Sequence, residues 1–131
     1  MGTDIVVGID GSENSKRALR WALDEAELRG VRVRAVLAWS FFGQEGTDLG
    51  VGTTHEKAEE AARAEVDDVA GARAHLVDVI AVNDLPVKGI LSQCPDAGLI
   101  VVGSRGRGGV KGLLQGSVSR TVVERAKCPV V

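Results

Sequence analysis

Aromatic side chains are scarce in this chain. Its 131 residues contain no tyrosine, two tryptophans and two phenylalanines, which are Trp21, Trp39, Phe41 and Phe42. That is too few for the stacked-ring platforms that hold single-stranded nucleic acid. Charge argues the same way. Sixteen Lys and Arg against 18 Asp and Glu leave a net −2, so the chain as a whole offers no basic footprint for a phosphate backbone, and no nucleic-acid partner is expected. The two cysteines, Cys94 and Cys128, form neither a CxxC pair nor a metal-ligand spacing, which points to reduced thiols. No long apolar run and no signal-peptide pattern occurs. Gly2 is followed at the myristoylation position by Val6 rather than Ser or Thr. The expectation is a cytoplasmic protein without membrane attachment. Linkers, repeats and low-complexity tracts are absent too, and the length suits one domain, residues 1–131.

What is present is an alternation. Ile5–Ile9 is a continuous apolar run with β-branched residues, as in a strand buried on both faces of a parallel sheet. From Asn14 to Arg29, Ala18, Leu19, Ala22, Leu23 and Ala26 recur at helical spacing, with Ser12 or Asn14 to cap the start and Gly30 to close the end. Val31–Trp39 reads as a second strand. Residues 40–53 carry four glycines and no period, and read as a flap or loop. Thr54 caps a predicted helix over His55–Ala70 with Ala58, Ala61, Ala62, Val66 and Val69 on one face. His75–Val82 predicts a third strand, Pro86 starts a short helix through Val87, Ile90, Leu91 and Cys94, and Leu99–Val102 a fourth strand. A helix through Val122, Val123 and Ala126 and a fifth strand at Pro129–Val131 complete the pattern. Strands alternating with helices imply an α/β fold: a single open five-stranded parallel sheet with helices on both faces.

Open α/β sheets bind ligands beyond the carboxyl ends of the strands, where the strand order reverses. In the order 3-2-1-4-5 the first and fourth strands flank that point. The first ends in Asp10-Gly11-Ser12 and the fourth in Gly103-Ser104-Arg105-Gly106. The stretch 101–120, VVGSRGRGGVKGLLQGSVSR, gathers six glycines and four basic residues with no acidic one. It fails the Walker A pattern, because Gly109 stands where lysine is needed, and fails GxGxxG, because Lys111 replaces the third glycine. The physics of an anion site survives. Backbone amides freed of side chains can line a concavity. A helix starting near Ser117 aims its positive end at the same place. Ser117 and Ser119 add hydroxyl donors, and Arg105, Arg107 and Lys111 add positive charge.

Gly103-x-x-Gly106, nine residues, then Gly116-Ser117 resembles the G-2x-G-9x-G(S/T) motif of the ATP-binding branch of the universal stress protein family. Ile5–Ser12 (IVVGIDGS), Ser15–Ala26 (SKRALRWALDEA) and Val118–Val130 extend the resemblance along most of the chain. It implies a Rossmann-like fold of the adenine nucleotide alpha hydrolase type and a nucleotide-dependent regulatory protein of the stress response. ATP would be bound with Mg²⁺ or Mn²⁺. On that resemblance Asp10 would lie near the phosphates or ribose and help hold the divalent ion. Gly8 and Ile9 would shape the adjoining wall, Ala38 would meet the adenine, and Val102 and Gly103 the nucleoside. Gly106, Gly116, Ser117, Val118 and Ser119 would bind the phosphates, with Arg105 beside them. The family pairs through its last strand, which implies a homodimer edge at Pro129, Val130 and Val131 and leaves a protein effector to be found.

Other readings compete. A PP-loop adenylating enzyme shares the architecture, but Ile9-Asp10-Gly11-Ser12 lacks the paired glycines of SGGxDS. A phosphoacceptor receiver needs an acidic pair after the first strand, where Asp10 stands alone, and would have only Asp84 as acceptor. A dimerising module whose glycine loop binds nothing is the remaining alternative. Asp10 is the one acidic candidate for a general base at the crevice, and an ion would occupy it, so hydrolysis is expected to be weak or absent. His55 and His75 have no partner spacing, Trp21 reads as packing or surface, and Glu59-Glu60 and Asp67-Asp68 read as a solvated helix face.

Overall fold

A computed structural model describes residues 4–39, 54–84, 86–92, 97–103, 122 and 129–131. Four strands, β1 (Asp4–Gly8), β2 (Val33–Trp39), β3 (Val77–Asn83) and β4 (Ala97–Val101), form one parallel sheet in the order β3-β2-β1-β4. Parallel neighbours need crossover connections, and α1 (Glu13–Arg29), α2 (His55–Ala70) and α3 (Pro86–Ser92) lie between the strands in the chain. Among the described residues no helix is long and apolar enough to cross a membrane.

The apolar runs become strands because both faces of the sheet are covered. On one face Ile5, Val7, Ala35, Leu37 and Leu99 pack with Leu19, Ala22 and Leu23 of α1 and Ala62 and Val66 of α2. On the other, Val6, Val36 and Ile100 meet Ile90 of α3 and Val122. Alternation along each strand divides the side chains between the two layers. Helix α1 begins where Ser12 Oγ accepts the Ser15 amide and ends at Gly30 in the left-handed conformation, φ +69°. Helix α2 is capped by Thr54, whose Oγ1 accepts the Lys57 amide.

Three expectations need correction. The described residues contain four strands, not five. Residues 129–131 instead lie along the free side of β4 through one parallel bridge, Ile100 with Val130, and through Ile100 N–H to Pro129 O (3.0 Å), Val131 N–H to Ile100 O (2.8 Å) and Val102 N–H to Val131 O (3.0 Å). Strand β3 begins at Val77 rather than His75, because Gly71–Leu76 coils into a 3₁₀ turn first. Arg73 ties that turn to α1 through Asp24 (2.7 Å) and Glu27 (2.6 Å), and His75 Nδ1 lies 3.0 Å from Ala72 O. Finally β4 starts at Ala97, ahead of Leu99. The expected helix after residue 117 lies outside the described residues except for Val122, which is fully buried.

Candidate functional site

With β2 on one side of β1 and β4 on the other, the strand order reverses between β1 and β4, and their carboxyl ends are the expected ligand crevice. At the tip of β1, Gly8 faces the α3 layer. A Cβ there would stand 2.6 Å from Ile90 Cδ1 and 3.2 Å from Ile90 Cγ1, so a larger residue would have to displace the Ile90 side chain, while Val102 Cγ1 at 3.6 Å would be in ordinary contact. Ile9 turns to the other layer, 5% exposed, and its amide donates to Val36 O at 2.9 Å.

The next three residues turn the chain into α1, and each of their amides has an acceptor. Asp10 N–H donates to Ser15 Oγ (3.0 Å), Gly11 N–H to Glu65 Oε1 (2.7 Å), and Ser12 N–H to Asp10 Oδ1 (2.9 Å). The last is an Asx turn, which suits aspartate at a strand-to-helix junction. Gly11 has φ +84°, a left-handed conformation that side chains resist. Ser15 O–H donates to Glu65 Oε2 at 2.6 Å, so one carboxylate on α2 grips both the turn and the first turn of α1.

The chain leaving β4 meets this structure directly. A Cβ on Gly103 would stand 3.0 Å from the carbonyl carbon and the Cβ of Asn14 and 3.1 Å from Asn14 O. The absent side chain lets the β4 exit lie against the first turn of α1, next to Asp10–Ser12. Of the residues expected from the sequence to build the site, Gly8, Ile9, Asp10, Val102 and Gly103 are therefore gathered around the β1 and β4 tips. Ala38, near the end of β2, is 7% exposed and faces α3, where a Cβ on Gly89 would stand 3.2 Å from its own Cβ. Arg105, Gly106, Gly116, Ser117, Val118 and Ser119 lie outside the described residues, as do Arg107, Lys111, Cys94 and Cys128. His55 sits near the ring of Trp39 (centroids 6.0 Å apart) and 3.4 Å from Glu59. Trp21 is 40% exposed on α1.

Glu65 is the residue that sequence reasoning missed. Burial pushes its carboxyl above the ordinary glutamate range, and the charge of Asp10 pushes the same way, against the bonds from Ser15 and Gly11 and the charge of Lys16. A signal was available. Glu65 falls on the apolar stripe of α2, three residues after Ala62 and beside Val66, where a solvated acid does not belong. Lys16, on α1, bridges outward to Asp68 at 3.5 Å and to Glu13 at 3.4 Å.

No group of three or more His, Cys, Asp and Glu side chains that could hold a metal occurs among the described residues. One aspartate, Asp10, fits the role of a carboxylate beside a Mg²⁺ whose other ligands are water and phosphate oxygens.

The family model described as the universal stress protein family matches residues 1–131. The chain belongs to that family. Universal stress protein Rv2005c of Mycobacterium tuberculosis is 39% identical over 131 residues, covering 97% of this chain and 44% of that protein. Universal stress protein Rv2623 of the same species is 36% identical over 132 residues, covering 97% and 43%. This universal stress protein chain thus spans less than half the length of those two relatives. Among solved structures it resembles a universal stress protein in complex with cAMP, with a TM-score of 0.74 and 26% identity over 98% of this chain and 94% of that one. It also resembles the universal stress protein of Archaeoglobus fulgidus in complex with dAMP, with a TM-score of 0.68 and 28% identity over 98% and 95%. UspA of Lactobacillus plantarum shares the fold, with a TM-score of 0.77 at 22% identity over 99% and 96%.

Proposed function

We propose that this chain binds ATP, with Mg²⁺ or Mn²⁺, at the carboxyl ends of β1 and β4, and that it acts as a nucleotide-dependent regulatory domain in the stress response. The observation that carries this reading is the close approach of Gly103 to Asn14, which brings the start of the glycine-rich basic stretch beside the Asp10–Ser12 turn at the reversal of the sheet. The cAMP and dAMP complexes of related structures support an adenine nucleotide as the ligand class. In this reading Asp10 stands by the phosphates and the ion, and Gly8 and Ile9 form the wall. Ala38 lies on the adenine side, and Val102 and Gly103 border the nucleoside. Arg105, Gly106, Gly116, Ser117, Val118 and Ser119 hold the phosphates, with amides and hydroxyls as the donors.

Binding rather than turnover is the expected activity. General-base catalysis needs a carboxylate or imidazole within reach of the attacking water. Asp10 would be engaged with the ion, and both oxygens of Glu65 already accept hydrogen bonds. A slow ATPase is the most that this arrangement supports. The edge formed by Pro129, Val130 and Val131 is the proposed homodimer contact, and the cytoplasm the proposed compartment.

Calorimetric titration of MgATP into the purified protein, beside a Gly116→Val variant and an assay for co-purified nucleotide, tests the reading. Expected is micromolar binding, about −8 kcal/mol, that the variant loses. Absence of both binding and carried nucleotide would overturn it.

A further inference from the structure

We infer that Glu65 is a positioning residue for the nucleotide site: from α2 it holds the Gly11 amide and the Ser15 hydroxyl, and so sets the turn that carries Asp10. The inference rests on the function proposed above, since it concerns how that site is kept in shape.

The geometry is that of a clamp with little slack. Glu65 is 7% exposed, and its two oxygens take one donor each, Gly11 N–H at 2.7 Å and Ser15 O–H at 2.6 Å. Ser15 is itself buried, at 3% exposed, and its oxygen accepts the Asp10 amide. The chain of bonds therefore runs from α2 through Ser15 to the backbone of Asp10, and separately from α2 to Gly11. Glu65 thus holds the Gly11 amide directly and the Asp10 amide through Ser15, from more than fifty positions away along the chain.

Two consequences follow. First, the amides of Asp10, Gly11 and Ser12 are all bonded within the protein. With these three amides engaged within the protein, the amide donors for phosphate are assigned in the proposed function to the stretch beginning at Gly103. Second, a buried carboxylate is an expensive way to join two helices. Its desolvation outweighs what the bonds return unless each is well formed, and a neighbouring Asp10 adds repulsion. An apolar side chain would fill the same space but would take away the acceptor that the Gly11 amide and the Ser15 hydroxyl use. A carboxylate earns its place here by fixing a backbone amide at a left-handed glycine, φ +84°, where the direction of the next residues is decided.

The test uses Glu65→Ala, Glu65→Gln and Ser15→Ala in the full chain, each titrated with MgATP at a temperature where circular dichroism shows it folded. The Gly11 amide is followed by ¹⁵N NMR without ligand. Outer-shell partners around metal ligands are typically worth about ten- to a hundredfold in affinity, so Glu65→Ala should bind MgATP about tenfold or more weakly, with the Gly11 proton moved upfield. Glu65→Gln keeps an oxygen for Gly11 and an amide that Ser15 Oγ can accept, and should recover affinity to within about threefold of wild type. Ser15→Ala, which breaks only the branch to Asp10, should fall between them and supplies the decision if Glu65→Ala does not fold. A purely structural clamp would lower the melting temperature and leave the affinity of the folded protein alone. Wild-type affinity in folded Glu65→Ala, or in Ser15→Ala, overturns the inference and leaves the proposed function standing. Wild-type protein that binds no MgATP overturns the function and the inference together.

Discussion

Replacing Gly103 by alanine probes the point where the β4 exit meets α1. The new Cβ would lie 3.0 Å from the carbonyl carbon and Cβ of Asn14 and 3.1 Å from its oxygen, whereas carbon atoms rest at about 3.5–4.0 Å. Relief therefore needs a separation of roughly half an ångström or more. The neighbour cannot give easily, because two of the three atoms are backbone in the first turn of α1. That turn is pinned by the Ser12 cap, by Lys16 N–H to Ser12 O at 3.0 Å and by Ser15 on Glu65. Overpacking of this kind costs about 1–3 kcal/mol, offset by about 0.4–1 kcal/mol from the stiffer unfolded chain. With two backbone atoms that cannot give, the middle to upper part of these ranges applies, a net loss of about 1–2 kcal/mol. An unfolding entropy of about 2.1 cal/mol/K per residue converts each kcal/mol into about 4 °C for a chain of this length, so the melting temperature should fall by about 4–8 °C. The displacement lies at the crevice, so MgATP affinity should fall as well. Scanning calorimetry reads the first effect and titration calorimetry the second. Gly30→Ala is the control. No atom lies within 4 Å of its Cβ and φ is +69°, so it should lose about 1 kcal/mol through backbone strain and bind normally. Gly103→Ala with unchanged melting temperature and unchanged affinity would refute the close approach.

Further perturbations separate the layers of the account. The raised Glu65 carboxyl means that the folded state holds the proton more tightly than the unfolded chain. Its stabilising contribution is full below the ordinary glutamate range and is lost as pH rises through the raised value. Urea midpoints of wild type minus Glu65→Gln should therefore decline from acid toward neutral pH, and a flat or rising difference would contradict the burial. Leu23, fully buried between α1 and the sheet, should lose about 2–5 kcal/mol as Leu23→Ala in denaturant unfolding; less than 1 kcal/mol would mean that this face is not packed. Arg32 holds the Asp78 carboxyl down through bonds of 2.8 and 3.2 Å, so Asp78 should titrate at higher pH in Arg32→Ala, and an unmoved NMR titration would remove that pair.

The parts of this fold that are legible from sequence are those whose causes are local. Ser12, the stripe from Ala18 to Ala26 and Gly30 mark α1 nearly to the residue, because cap, period and terminator all lie within the helix itself. Thr54 does the same for α2. Alternation of strands and helices implies a parallel sheet but fits more than one strand order, and the observed order β3-β2-β1-β4 brings the β1 and β4 tips, with Asp10 and Gly103, to one crevice. The 3₁₀ turn at Gly71–Leu76 is less legible. Arg73 holds it by reaching Asp24 and Glu27 on another helix, and nothing in the window around residue 73 signals those partners. Glu65 is hidden for the same reason, with its ligands on the far side of a crossover. Residues 129–131 keep their expected place beside β4 but make a bridge and not a strand. The glycine spacing after Gly103 is a sequence signal, and its roles rest on the family resemblance and the crevice that it enters.

The most direct test of the central claim is to map MgATP by ¹⁵N NMR. The account predicts that amide shifts on titration concentrate in residues 8–12 and 102–103 and in the glycine-rich stretch that follows. Arg73, Asp78 and the exposed side of α1 around Trp21 should stay still. Shifts confined to that outer surface, or none at all, would contradict a nucleotide site between β1 and β4.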